Sequence, residues 1–202
     1  ALKAGTVAGG RMSMDQYLQF PVSCPKDFAE IKTRLIPAAP ERYPKELDQR
    51  LGAWFKRDYP LVLGENCAAN GFYWRARELM GTEALSLAFY EQPNLVHEIM
   101  EYYAEFILKT SQPVLEKIQV EYFTFNEDFA MRTGPLVSPE VYREFIFPRL
   151  KRIVEFFRGC GVRYIAVDTD GDPTVLVPLM LDAGVDTLWP IERAAGVSPV
   201  VW

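Results

Sequence analysis

Apolar positions along the chain follow two rhythms, and each rhythm predicts a different element. In 26–36, KDFAEIKTRLI, Phe28, Ile31 and Leu35 fall at helical spacing, and 47–57 reads as a second short helix. Between them Pro37, Pro40 and Pro44 confine 37–46 to loop. YPLVLG (59–64) predicts a strand, and GFYWRARELMG (71–81) a helix stopped by Gly81. The clearest helix runs from Pro93, which suits a first helical turn, to Lys117, with Val96, Met100, Tyr103 and Ile107 as its buried stripe. VEYFTF (120–125) predicts a strand. Ser138 and Pro139 then suit an N-cap and first helical residue. Pro148 has no N–H to give that helix, which predicts a kink or two abutting helices before a stop at Gly159 or Gly161. The last stretch is the most regular. RYIAV (163–167) is a strand, Asp172 and Pro173 open a helix that closes at Gly184, and VDTLW (185–189) is the next strand. Residues 1–20, Gly-rich and then amphipathic, suit a hairpin or a loose lead-in. The closing SPVVW reads as the start of a further strand, and both ends are expected to be cut from a longer reading frame.

Strand, helix and strand in close succession predict βα units and a parallel sheet. An open doubly wound sheet fits this rhythm, and so does part of a (β/α)8 barrel; both bring the C-terminal ends of their strands to one face, where chemistry collects. With 202 residues, 49% of them hydrophobic, the chain can bury one sizeable core as a single domain, 1–202. The net charge of −5 and the absence of long Lys/Arg runs exclude a nucleic-acid groove or an anionic membrane surface as partner. No apolar stretch approaches the ~20 residues that span a bilayer. The three cysteines, Cys24, Cys67 and Cys160, are widely spaced without a CxxC, as expected of reduced, mostly buried thiols in a cytoplasmic protein, and Cys67 and Cys160, with no histidine near in sequence, are expected to be inert.

Polar residues follow each strand. Glu65 and Asn66 come after PLVLG; Asn126, Glu127 and Asp128 after YFTF; Asp168 and Asp170 after YIAV; Glu192 after TLW. Parallel strands would gather these carboxylates on one rim, where like charges raise one another's pKa unless a cation intervenes. Arg75, Arg77, Arg132 and Arg193 are near enough in sequence to supply one. The candidate catalytic residues are therefore Asp168, Asp170, Glu127 and Asp128. Glu65, Asn66, Trp74, Asn126, Trp189 and Glu192 are candidates for binding substrate. Tyr73, Trp74, Phe125 and Trp189 are either core or the walls of a pocket for a flat ring. His97, the single histidine, sits on the long helix as a packing or surface residue. The run VDTDGDP raises two further patterns. A calcium loop fails, because Pro173 takes the sharp-turn glycine position and Leu179 the terminal glutamate position. The strand followed by DxDG resembles the haloacid-dehalogenase opening, with Asp168 as nucleophile and Asp170 as acid. That family also needs a later lysine, and none follows Lys151.

The wider context resembles the uroporphyrinogen decarboxylase superfamily. The resemblance is carried by GPLVSPEVYREFIFPRLKRIV, the strand with its polar DGD turn, LMLDAGVD and IERAAG, with FYWRARELMG and AFYEQPNLVHEIMEYYAEF similar to the middle section, over about residues 15–202. It implies a (β/α)8 barrel, present here as an incomplete central portion that another chain or copy completes, and hence a homo-oligomer. The superfamily includes the porphyrin-pathway decarboxylase, a lyase, and methyltransferases that move methyl groups between corrinoid proteins and thiols. Two decarboxylase segments depart: ENCAANGFYW stands where a GAPWT motif would fall, and FNEDF where FDSW would fall. A carboxylate-rich rim also suits an octa-acid substrate poorly. The methyltransferases hold zinc through a His-x-Cys pair, and here Asp168 and Asp170 fall at those positions. The resemblance thus implies one-carbon transfer, or a tetrapyrrole- or corrinoid-type ligand at the barrel rim, without a zinc His/Cys site. The corrinoid would come from a partner protein; any metal at Asp168 and Asp170 would be a hard divalent cation. Literal decarboxylation and a non-catalytic corrinoid- or partner-binding barrel are the alternatives.

Overall fold

The computed structural model describes residues 19–64 and 71–198. The leading stretch, Glu65, Asn66 and Cys67, and most of the closing SPVVW lie outside the described residues.

The chain opens with α1 (Pro25–Lys32), a 3-10 turn at Pro40–Arg42 and α2 (Leu47–Trp54). The first strand, β1, is short (Val62–Leu63). Three helices follow: α3 (Tyr73–Met80), α4 (Thr82–Glu91) and α5 (Pro93–Leu115). Gly81 ends α3 as its sequence predicts, but the chain turns at once into α4, an element the apolar rhythm did not reveal. Gly81 adopts φ 83° and packs against the Phe20 ring, where a Cβ would lie 2.4 Å from a ring carbon. β2 (Tyr122–Asn126) is followed by a small hairpin, β3 (Ala130–Met131) with β4 (Gly134–Pro135), also unforeseen.

The predicted break at Pro148 takes a specific form. A short α6 (Pro139–Val141), whose first turn is capped by the Ser138 hydroxyl accepting from the Val141 N–H at 3.2 Å, runs into a π-helical turn at Tyr142–Ile146. α7 (Phe147–Gly159) follows directly. The wider π turn absorbs the register that the proline disrupts, and Arg149 donates from Nη1 to the Phe145 carbonyl at 2.8 Å. β5 (Tyr164–Asp168) leads to a 3-10 turn at Thr174–Leu176 and α8 (Val177–Ala183), which ends at the left-handed Gly184. The last helix therefore opens later than Pro173. The Asp172 carboxylate instead accepts from the Thr174 N–H at 3.0 Å and caps the 3-10 turn. β6 (Thr187–Trp189) closes the sheet, and Arg193–Ala195 forms a final 3-10 turn.

The four long-range strands are parallel and lie in the order β1-β2-β5-β6. That order is sequential, without the reversal that defines a doubly wound sheet, so successive βα units wind one way, as in a (β/α)8 barrel. The helices collect on one face of the sheet. Phe123 and Phe125 point into that layer, Phe123 stacked on Phe157 of α7 at 4.0 Å and Phe125 against Phe72 at 6.0 Å. Ile165 and Val167 of β5 continue this buried row. The opposite face carries Val62, Tyr122, Thr124, Asn126, Tyr164, Ala166, Asp168, Thr187 and Trp189, aligned by register. No described helix packs over it, and a cavity of about 570 Å³ opens there beside Tyr122, Tyr164 and Trp189.

The N-terminal ends of the strands are tied by ion pairs. Arg57 meets Glu121 at 2.6 Å, and Arg158 meets Asp186 at 2.6 Å while Asp186 also accepts from the Ile165 N–H at 2.7 Å. These pairs fix the strand starts and leave the other end for chemistry.

Candidate functional site

The site follows from strand register. Asn126, Asp168 and Trp189 are direct neighbours on β2, β5 and β6, so their side chains form one row across three adjacent strands, ~5 Å apart, on the open face. All three were candidates from sequence, and the parallel pairing is what brings them together. Asp168 is half-buried, and its pKa is pushed up to about 6, first by burial and then by the charges of Asp170 and Asp128. Asp170 is more exposed, and its carboxyl is also raised, by burial and by Asp128 and Glu192. Asp168 is thus a carboxyl that carries its proton into the slightly acidic range and can act as acid or base near it.

Glu127 lies elsewhere. It is only 2% exposed and turned inward, where its two oxygens accept from the Phe72 N–H at 2.9 and 3.0 Å and from the Tyr73 N–H at 2.7 Å. It anchors the start of α3 to the end of β2, on the opposite side of the strand from the row of Asn126, Asp168 and Trp189. Burial drives its carboxyl up to about 7, against the pull of those N–H donors. Gly71, just before, lets the two backbones touch: a Cβ there would lie 1.9 Å from the Asn126 carbonyl oxygen.

Asp128 takes a left-handed conformation, φ 43°, and pairs with Arg77 of α3 at 2.7 Å, while the same guanidinium donates to the Asp128 carbonyl at 3.1 Å. Of the four arginines near the rim in sequence, Arg77 is the one that meets a rim carboxylate among the described residues. Arg75 pairs with Glu78, and Arg132 and Arg193 stand exposed. Arg77 also lies over the Trp74 ring at 4.3 Å, which occupies that face of the indole. Of the four aromatics that are core or pocket walls, Tyr73 and Phe125 are fully buried, Trp74 is partly exposed and Trp189 stands open, at 38% exposure. His97 packs, stacked on Phe145 at 4.2 Å.

The loops that follow the strands are sewn to one another. The Glu127 and Asp128 N–H groups donate to the Asp168 carbonyl at 2.9 and 3.2 Å, and the Thr169 N–H to the Trp189 carbonyl at 3.0 Å. The Phe129 N–H donates to the buried Thr169 hydroxyl at 3.2 Å, and the Asp172 N–H to the Met131 carbonyl at 2.9 Å. Glu192 spends an oxygen on the Gly171 N–H at 2.8 Å, so it fastens one loop to the next. Thr169 and Thr124 are contributors that the sequence reading passed over. The signal for Thr124 was alternation: it lies two residues before Asn126 and so shares its face.

Among the described residues, no group of three or more His, Cys, Asp or Glu side chains is arranged to hold a metal ion.

Residues 75–194 match the profile of the family described as uroporphyrinogen decarboxylase (URO-D). Among solved structures the fold is similar to a methyltransferase from Methanosarcina mazei, with a TM-score of 0.53 and 18% identity, over 72% of this chain. The chain spans 43% of the length of that structure. No curated protein matches the sequence. No described helix is long and apolar enough to cross a membrane.

Proposed function

The chain belongs to the uroporphyrinogen decarboxylase family, and from that membership we propose that it acts in one-carbon transfer on a ligand held at the C-terminal ends of its parallel strands. The observation that carries the reading is the row Asn126–Asp168–Trp189, with the half-buried Asp168 at its centre and its carboxyl pushed up to about 6. A methyl group leaves an oxygen or nitrogen readily only if that heteroatom gains a proton as the bond to carbon breaks. Asp168 supplies that proton, Asn126 orients the heteroatom, and the methyl carbon passes to a nucleophilic acceptor, a corrinoid carried by a partner protein. The likeness in fold to a methyltransferase supports this reading. So does the acidic rim, since Asp128, Asp168, Asp170 and Glu192 would repel a substrate built from many carboxylates.

The test is a side-by-side assay of the purified protein. Loss of methyl from O- or N-methylated donors in the presence of a reduced corrinoid acceptor is expected, and Asp168→Asn should lower kcat by at least ~100-fold, the usual worth of a positioned acid. Release of carbon dioxide from uroporphyrinogen, insensitive to Asp168→Asn, would overturn the proposal in favour of decarboxylation.

A further inference from the structure

His97 is the single histidine of the chain, and both of its ring nitrogens meet a charged group. It stands on α5. The Phe145 ring of the π turn stacks on it at 4.2 Å and is itself backed by Phe89 of α4 at 5.0 Å. Arg149 of α7 brings Nη2 to 3.3 Å from the ring Nδ1 and 3.5 Å from the His97 carbonyl oxygen. Glu144 of the π turn brings Oε1 to 3.4 Å from Nε2. A guanidinium has donors only, so Nδ1 accepts. The one proton of the neutral imidazole then lies on Nε2, on the side of Glu144. The surroundings of the ring thus select its tautomer.

Arg149 is largely withdrawn from water, with its side chain 12% exposed. Its Nη1 donates to the Phe145 carbonyl at 2.8 Å, and its Nε faces the Glu101 carboxylate at 3.1 Å. One guanidinium therefore ties α5, the π turn and α7 together, and the His97 ring is one of its acceptors. Arg152 shares Glu101 at 2.7 Å and reaches Glu105 at 3.5 Å, so those carboxylates of α5 are divided between two cations.

A proton on Nδ1 reverses the contact with Arg149. Two N–H donors and two positive charges would face each other at 3.3 Å, beside a side chain that solvent screens poorly. On its other edge the charged ring meets the carboxylate of Glu144. The charged groups around the ring act in one sense: Arg149, with Arg152 behind it, expels the protonated ring, and Glu144 draws it.

We propose that His97 is a proton-operated latch. Neutral, it fastens α5 to α7 through Arg149; protonated, it releases Arg149 and pairs with Glu144, which loosens the π turn between α6 and α7. α7 leads into β5, the strand that ends in Asp168, so the latch is set on the support of the site and not among its polar groups.

Because the chain has one histidine, ring ¹⁵N signals report His97 without ambiguity. At pH 8 they are expected to show the Nε2–H tautomer. Between pH 8 and pH 5 imidazoles take up a proton. Over that interval the amide protection factors of Phe145, Ile146, Phe147 and Arg149 are expected to fall about tenfold, the weight of one hydrogen bond to a charged group. His97→Phe keeps a ring on Phe145 and removes both polar contacts. Its protection factors should be low already at pH 8 and indifferent to pH. Glu127 also titrates in this interval, but it is common to both proteins and cancels. Glu144→Gln gives a second reading that leaves the packing alone, since the Glu144 side chain is 61% exposed. It should match the wild type at pH 8 and fall about threefold further at pH 5, where the ring has lost the group it turns to. An Nδ1–H tautomer at pH 8, protection factors that do not change with pH, or a change that persists in His97→Phe overturns the latch. Equal protection of Glu144→Gln and wild type at pH 5 overturns the handover to Glu144.

Discussion

Replacing Glu127 with glutamine should change how stability depends on pH more than it changes stability itself. The side chain is fully buried and its pKa rises from an ordinary 4.5 to about 7. A raised carboxyl pKa means that the native state holds its proton more tightly than the unfolded chain does. The associated stability is complete below about pH 4.5 and is lost as pH rises through about 7. At ~1.36 kcal/mol per pKa unit, the loss between pH 5 and pH 8 is about 2 to 3 kcal/mol. Glutamine is neutral throughout and resembles the protonated acid, with one oxygen to accept the Phe72 and Tyr73 N–H groups and one donor facing them. That mismatch costs ~1–3 kcal/mol. The variant should therefore be the less stable protein at pH 5 and should draw level or pass the wild type at pH 8. Asp168 also titrates in this window, in the same direction, but it is present in both proteins and cancels in the difference. Urea unfolding at the two pH values, followed by circular dichroism, measures the effect. Stability curves that run parallel from pH 5 to pH 8 would show that Glu127 is ionised throughout and that the Phe72 and Tyr73 N–H donors, not burial, govern it.

Two further substitutions probe the scaffold. Phe157→Ala removes a fully buried ring stacked on Phe123 at 4.0 Å and should cost ~3–5 kcal/mol in urea unfolding. Gly171→Ala places a Cβ 2.5 Å from the Met131 carbonyl carbon at φ 79°. Left-handed strain and the forced separation of two loops should together cost ~2–4 kcal/mol, with faster hydrogen exchange at the Asp172 amide as the local sign.

The sheet was legible because apolar strands and helices alternate at regular intervals, and the four strands predicted at 59–64, 120–125, 163–167 and 185–189 are each present within a few residues. What the rhythm could not show was α4. Gly81 is a stop signal, and nothing local says that the chain resumes a helix one residue later. The choice between a doubly wound sheet and a barrel also needed the strand order, which depends on contacts far apart in sequence. At the site, listing polar residues after strands found Asn126, Asp168 and Trp189 but could not separate them from Glu127. One step along a strand reverses the side chain's direction. Asn126 and Glu127 are adjacent in sequence, yet one joins the open row and the other is buried beneath α3. The hydrogen bond from Trp189 to Thr124 was hidden for a similar reason: it joins side chains on β6 and β2, two strands that are not neighbours.

The loop-to-loop hydrogen bonds have a consequence for how this rim can move. Asp168 accepts from the segment after β2, Trp189 accepts from the segment after β5, and Glu192 reaches back to Gly171. None of these three described loops can swing aside without unfastening its neighbour. The arc of rim after β2, β5 and β6 should open as a whole or not at all, so entry and exit of a ligand there would be concerted events shared by three strands rather than the lifting of a lone flap.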